Sequence, residues 1–280
     1  MESIDFNADL GESFGNWRLG ADDELMPVIS SANVACGFHA GDPSAIRRAV
    51  ASAARHGVAV GAHPGLPDLL GFGRRRMDIT PSDAADYVLY QVGALAAFAD
   101  AAGVALHHVK PHGALYMMAL DDAALARAIV EAVGGLGDGL PVYTLAGGEL
   151  WHAAEAAGVP PVAEFFADRP VRRDGSVVMF DWRELFDPTP EVVAERVRSL
   201  VETGAVASLE GHPVPVVAAT ICVHADTSGA GEIGHAVRAA VEAAGVVVSS
   251  ELELSSPNES PQGRRHAARA QGGQRVHYTG

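Results

Sequence analysis

The stretch SIDFNADLGESFG, residues 3–15, decides the fold. Its first part, Ser3 to Asn7, alternates polar and apolar side chains as a strand does. In an open dinucleotide-binding sheet, the loop behind this strand carries G-x-G-x-x-G, so that a pyrophosphate can approach the backbone N–H groups. Here the loop reads Asp9-Leu10-Gly11-Glu12-Ser13-Phe14-Gly15, with two carboxylates where that anion would sit. An open doubly wound sheet thus loses its usual ligand, and a closed β/α barrel becomes the better of the two architectures.

The rest of the chain keeps the same rhythm. Further strands are expected at Ser31–Ala35, Val58–Ala62, Ala105–Val109, Pro141–Leu145, Val162–Phe166 and Val214–Val223, with a short one at Val246–Ser249. Helices fit between them. Asp42-Pro43 is an N-cap followed by proline at the first helical position, and Gly57 is a natural stop. Thr80-Pro81-Ser82-Asp83 starts a helix with an apolar stripe at Val88, Val92, Leu95 and Ala99. Thr189-Pro190-Glu191 starts another, and Asp226–Ser228 is placed to cap a helix carrying Ile233, Val237 and Val241. Alternation of this kind calls for parallel strands joined by right-handed crossovers. The segment from Asp168 to Asp187 breaks the rhythm. Valines 171, 177 and 178 around Asp174-Gly175 suggest a hairpin, serving as a lid or an interface element. The expectation is one β/α-barrel catalytic domain over residues 1–254 and a disordered polar tail over residues 255–280.

Composition narrows the function. The formal charge of the 280 residues is −15, and leaving out residues 255–280 leaves 16 basic against 34 acidic groups. Such a surface repels phosphate backbones and anionic lipid, so neither nucleic acid nor membrane is an expected partner. No apolar run is long enough to span a bilayer, and Glu2 and Asp5 interrupt any signal-peptide pattern. Cys36 and Cys222 form no CxxC pair and read as free thiols of a reducing cytoplasm. The chain has 19 arginines and one lysine, Lys110. Where arginine is used almost everywhere, the retained compact ammonium marks a position that needs a point charge.

In a barrel the strand ends share one mouth, where catalysis is expected. Strand one delivers Asn7, Asp9 and Glu12, and strand two His39 and Asp42. Strand three delivers His63, strand four Lys110 and His112, strand six Glu164, Asp168 and Arg169, and the late strand His224 and Asp226. A histidine one or two residues ahead of a glycine recurs after three strands. Each residue also has a plainer reading: Asp42 and Asp226 as helix caps, a lone histidine as a hydrogen-bonded structural group, Glu12 as a solvated charge. Their convergence favours a site. A divalent metal held by several His and Asp is one chemistry it can support, although no HExxH fixes the ligands. A metal-free site, with Asp or His moving protons and Lys110 stabilising an oxyanion, is the other. There is no G-x-S-x-G elbow for a serine nucleophile, and no P-loop, because the only lysine precedes Pro111.

Several stretches together resemble the LamB/YcsF family: Asp5–Gly15, SSANVACGFHAGDP (30–43), GAHPGLPD (61–68), GFGRR (71–75), YQVGALAAF (90–98), HVKPHGALY (108–116), AEFFADR (163–169) and TICVHAD (220–226). The chain departs from the family pattern at Ala8, where cysteine is usual, at Ala225, where glycine is usual, and over residues 178–186. The resemblance implies a TIM-like (β/α)7 barrel of the glycoside hydrolase/deacetylase type. It further implies ATP-dependent opening of 5-oxo-L-proline to L-glutamate with two partner proteins, subunits B and C, and Mg accompanying ATP. On that reading Asp9 is the general base and Lys110 contacts the oxyanion or phosphate. His63 and His112 move protons or orient the substrate. Asn7, Glu12, His39, Asp42, His224 and Asp226 complete the pocket, and Arg169 grips the substrate carboxylate. Lys110→Ala is expected to abolish turnover with the fold intact. The competing readings are a stand-alone metal-dependent deacetylase-like hydrolase and a non-catalytic regulatory subunit.

Overall fold

A computed structural model describes residues 1–137 and 139–251; the tail expected at residues 255–280 lies outside them. Ten strands form among the described residues: β1 (Ser3–Leu10), β2 (Ser31–Ala35), β3 (Ala59–His63), β4 (Leu106–Val109), β5 (Val142–Thr144), β6 (Pro161–Phe166), β7 (Ala205–Ala207), β8 (Pro213–Pro215), β9 (Thr220–His224) and β10 (Val247–Val248). Parallel pairing runs β1-β2-β3-β4-β5-β6-β9, and β9 returns to β1, which closes a seven-stranded barrel. The barrel expected from the acidic first loop is the fold found. β10 adds to the first residues of β1 outside the ring, Ser3 against Val247 and Ile4 against Val248.

Eight helices wrap the ring among the described residues: α1 (Asp22–Leu25), α2 (Pro43–His56), α3 (Pro81–Ala101), α4 (Gly113–Asp121), α5 (Ala123–Gly134), α6 (Glu149–Ala157), α7 (Pro190–Thr203) and α8 (Ala230–Ala243). The starts of α2, α3 and α7 follow the sequence signals. Thr80 and Asp83 form a reciprocal capping box on α3, and the stripe Val88, Val92, Leu95 and Ala99 is buried. α2 ends at Gly57, whose φ of 68° is the left-handed conformation that glycine adopts without a Cβ penalty. Among the described residues, no helix is long and apolar enough to cross a membrane.

Two expectations need correction. The late strand Val214–Val223 is two strands. Pro213 and Pro215 lack N–H groups and cannot sit in a central ladder, so this piece pairs antiparallel with β7 as a separate ribbon, and the chain re-enters the barrel at Thr220. Asp226 does not cap α8: the N-cap is Gly229, with no side-chain cap. Asp42 does cap α2, as its place before Pro43 suggests, and it also holds the first loop. Oδ1 accepts from Ser44 N and Ala45 N, each at 2.8 Å, and Oδ2 accepts from Gly15 N at 2.8 Å. Asp42→Ala is therefore expected to cost about 1 kcal/mol of stability by loss of the cap, read from the denaturant midpoint.

The barrel interior is polar where such barrels are usually packed with branched apolar side chains. Asp5 is fully buried and accepts hydrogen bonds from Thr220 Oγ1 (2.6 Å), Tyr143 Oη (3.0 Å), Ser30 Oγ (2.6 Å) and Ser31 Oγ. Buried polar groups are tolerable only when satisfied, and these are. The network forms the floor beneath the strand ends.

Candidate active site

Side chains two apart on a strand share a face, so Asn7 and Asp9 of β1 both enter the barrel. The parallel register sets Asp9 between Asn33 of β2 and His224 of β9. Lys110 reaches the same point from the end of β4. Its Nζ lies 2.7 Å from Glu164 Oε1, 3.0 Å from Asp9 Oδ1, 3.2 Å from Asn7 Oδ1 and 3.0 Å from Cys222 Sγ. Asn33 Nδ2 donates to Asp9 Oδ1 (2.8 Å) and to Asn7 Oδ1 (2.7 Å), which fixes both acceptors.

The charges are set by these neighbours. Burial favours the neutral form of Asp9, but His63, Lys110 and His224 outweigh it and hold the carboxyl well below its usual range. Burial likewise opposes charge on Lys110, and Asp9, Cys222 and Glu164 together raise its pKa well above the ordinary value. An ionised Asp9 and a protonated Lys110 thus face each other in a buried site. Glu12 goes the other way. Burial, then the nearby charges of Asp9 and Asp226, push its carboxyl well up.

Beside this pair stands a histidine cluster. His63 Nδ1 is 2.7 Å from Lys110 O, and His112 Nε2 is 2.8 Å from Phe72 O. Their other nitrogens, His63 Nε2 and His112 Nδ1, are 2.9 Å apart, and His63 Nε2 is 3.4 Å from Asp9 Oδ2. His39 lies flat on His112, ring centroids 3.7 Å apart, and its Nε2 is 4.0 Å from Glu12 Oε1. Burial holds His39 and His112 below the usual imidazole range, reinforced by the neighbouring histidines. Glycines make the room. A Cβ at Gly65 would strike the His39 ring, and one at Gly73, whose φ is 63°, would lie 2.6 Å from His39 Cβ. Donor atoms of Glu12, His39, His63 and His112 all fall within 4.8 Å of one another, as do those of Asp9, Cys222 and His224, so either group can hold a metal ion.

The third wall is cationic. Arg169 is fully buried, its guanidinium 4.4 Å above the Trp182 ring. Nη1 donates to Asp168 Oδ2 (2.8 Å) and Thr227 Oγ1 (3.0 Å). Nε and Nη2, the side-on fork, have no hydrogen-bond partner among the described residues. Asp168 also binds His224 Nδ1 (2.9 Å) and fixes that ring, whose Nε2 then stands 4.0 Å from Asp9 Oδ2. Burial raises the Asp168 pKa, but Arg169 and His224 together overcome this and depress it. At the partly exposed edge, Asp226 pairs with Arg74 at 2.8 Å.

The sequence-expected residues Asn7, Asp9, Glu12, His39, His63, Lys110, His112, Arg169, His224 and Asp226 thus form one continuous constellation, and Asp42 stands apart from it as a cap. Asn33 and Arg74 join them without a signal in the residue order. Asn33 is a mid-strand residue whose importance rests on register; Arg74 comes from the GFGRR loop, away from any strand end. Cys222 reads in the sequence only as a free thiol, although it touches Lys110.

Fold and site together define a (β/α)7-barrel protein with a buried cluster of ionisable side chains at the C-terminal ends of its strands. The chain belongs to the LamB/YcsF family, whose model matches residues 4–256. It is 48% identical over 250 residues to the 5-oxoprolinase A subunit of Tolumonas auensis, covering 89% of this chain and all of that protein. It is 46% identical over 256 residues to the protein of the same name from Bacillus subtilis, covering 91% of this chain and all of that one. Among solved structures, the "Lactam Utilization Protein" of Thermus thermophilus superposes with a TM-score of 0.84 at 47% identity, covering 89% of this chain and 99% of that one.

Proposed function

We propose that this chain is the A component of a 5-oxoprolinase: with partner subunits B and C it opens 5-oxo-L-proline to L-glutamate at the expense of ATP. Relatives that it matches over their whole length carry that name. The observation that carries the chemistry is the buried Asp9–Lys110–Glu164 group beside the Arg169 fork, whose Nε and Nη2 make no hydrogen bond among the described residues and whose Nη2 lies 3.8 Å from Asp226 Oδ1.

A five-membered lactam is a resonance-stabilised amide and resists attack by water. Phosphorylation of the amide oxygen by ATP, with Mg, makes the ring carbon electrophilic. ADP leaves in that step. Water then adds to the ring carbon and the C–N bond breaks, the ring nitrogen leaving as the amine with a proton; a second water hydrolyses the resulting acyl phosphate to the carboxylate and phosphate. Asp9, held ionised, accepts the proton of the attacking water. Lys110, held charged, faces the oxygen that bears the developing negative charge or the phosphate. His63 and His112 orient the substrate and relay protons at the amine. Asn7, Glu12, His39, His224 and Asp226 surround the substrate position. The Nε/Nη2 edge of Arg169 matches the two-pronged geometry of the substrate carboxylate. Two buried free thiols fit a reducing cytoplasm.

The decisive experiment mixes the purified chain with subunits B and C, ATP, Mg and 5-oxoproline and measures glutamate. Glutamate formation that requires all components supports the reading. The same yield without this chain, or hydrolysis by this chain alone without ATP, overturns it. In that assay Arg169→Lys is expected to raise KM for the lactam by roughly 10–100-fold, since a hydrogen bond to a charged group is worth about 1.5–3 kcal/mol, with a smaller change in kcat.

A further inference from the structure

The hydrogen-bond logic of His63 and His112 does not close with neutral rings alone. A backbone carbonyl only accepts, so His63 Nδ1 must donate to Lys110 O and His112 Nε2 must donate to Phe72 O. Each neutral ring then has a bare lone pair on its other nitrogen. Those two nitrogens, His63 Nε2 and His112 Nδ1, point at each other across 2.9 Å. Two lone pairs at that distance repel, and a cation is needed between or beside them. Outer nitrogens anchored on carbonyl oxygens, with inner nitrogens aimed into a common space, are the arrangement by which proteins orient metal-binding histidines.

Two more donors face the same space without partners. Both ring nitrogens of His39 and the Oε2 of Glu12 are buried and make no hydrogen bond among the described residues. We propose that this chain binds one divalent transition-metal ion of the zinc class, with His63 Nε2 and His112 Nδ1 as preset ligands and His39 and Glu12 closing on the ion. The four donor atoms lie within 4.8 Å of one another. Tetrahedral zinc with bonds of about 2.0–2.1 Å needs them about 3.4 Å apart: the 2.9 Å between His63 Nε2 and His112 Nδ1 must widen by about 0.5 Å, and the longer separations must shrink. His39, lying parallel to His112, and Glu12 close that gap by rotation, and both are free of competing hydrogen bonds among the described residues. Imidazole nitrogen with one carboxylate suits zinc or cobalt better than magnesium or calcium. The inference rests on the reading of this cavity as catalytic and deepens it: the ion is what His63 and His112 orient through, with His63 Nε2 3.4 Å from the Asp9 carboxylate.

The test uses the full-length chain without a polyhistidine tag, stripped by chelator and titrated with Zn²⁺ by calorimetry and with Co²⁺ by visible absorption. One equivalent of tight binding is expected, with a cobalt d–d spectrum of four-coordinate N/O type. Glu12→Gln and His112→Gln, checked for folding by circular dichroism, should each weaken binding about tenfold or more, as should His39→Gln if either of the first two misfolds. The surface variant His152→Gln should leave it unchanged. Absence of stoichiometric binding, or binding indifferent to the site variants, overturns the proposal; an added proton shared by His63 and His112 would then be the cation. The titration uses no ATP, lactam or partner protein, so its failure is separable from failure of the ring-opening assay.

Discussion

Lys110→Met is expected to lower kcat/KM for lactam opening in the assembled enzyme by about 10²–10³-fold, the scale for losing one preorganised electrostatic contact to a developing oxyanion. Residue order alone leads to the expectation that losing this lysine leaves the fold intact. The structure adds a stability cost to that expectation. Among the described residues, Lys110 is the only cation within 3.0 Å of both Asp9 and Glu164, which are buried. Removing one partner of a buried ion pair leaves uncompensated charge and costs about 3–5 kcal/mol, which lowers Tm by roughly 10 °C for a chain of this size. The variant should stay folded at 25 °C while losing activity, and stability and rate must be measured on the same preparation. Activity within a few-fold of the wild type would remove Lys110 from the chemistry.

Asp9→Asn is expected to be the more damaging change for rate. It keeps shape and a hydrogen-bonding oxygen for Lys110 but removes the proton acceptor, and general bases contribute about 10²–10⁴-fold. It also separates the base from the charge pair in a pH titration. The folded-state pKa of Asp9 is depressed, so its contribution to stability is present above the unfolded carboxylate value of about 3.9. It is lost as pH falls through the lower, folded value. The variant should lose that part of the acid unfolding while the remainder is kept. Single-turnover rates across a pH range of about 5–9 and acid-unfolding curves for both proteins decide the matter. An Asp9→Asn enzyme that turns over at the wild-type rate would assign the base elsewhere.

Much of this site can be read from residue order because a parallel barrel converts strand ends into neighbours. Asp9, His63, Lys110, His112 and His224 all lie within three residues of the end of a strand, and that placement alone predicts their meeting. Asn33 escapes because it sits mid-strand, where its contact with Asp9 follows from pairing register that no local pattern encodes. Arg74 escapes because a long loop carries it to Asp226. Asp226 reads as a cap for a related reason: a carboxylate just before a helix suits either use, and only the location of its cation decides. The late strand reads too long because its valines outweigh two prolines whose missing N–H groups bar them from a central ladder. The polar floor around Asp5 passes for ordinary strand alternation, since Ser31, Tyr143 and Thr220 lie on three other strands.

The pairing of β10 with the opening residues of β1 has a practical consequence. Val247 sits beside Ser3, at the rim opposite the strand ends that carry Asp9 and His224. A fluorophore, a surface tether or a fused reporter attached near residue 3 or residue 250 would hang from the underside of the molecule. Immobilised by either attachment point, the protein would present the C-terminal ends of its barrel strands to solution and to incoming partners.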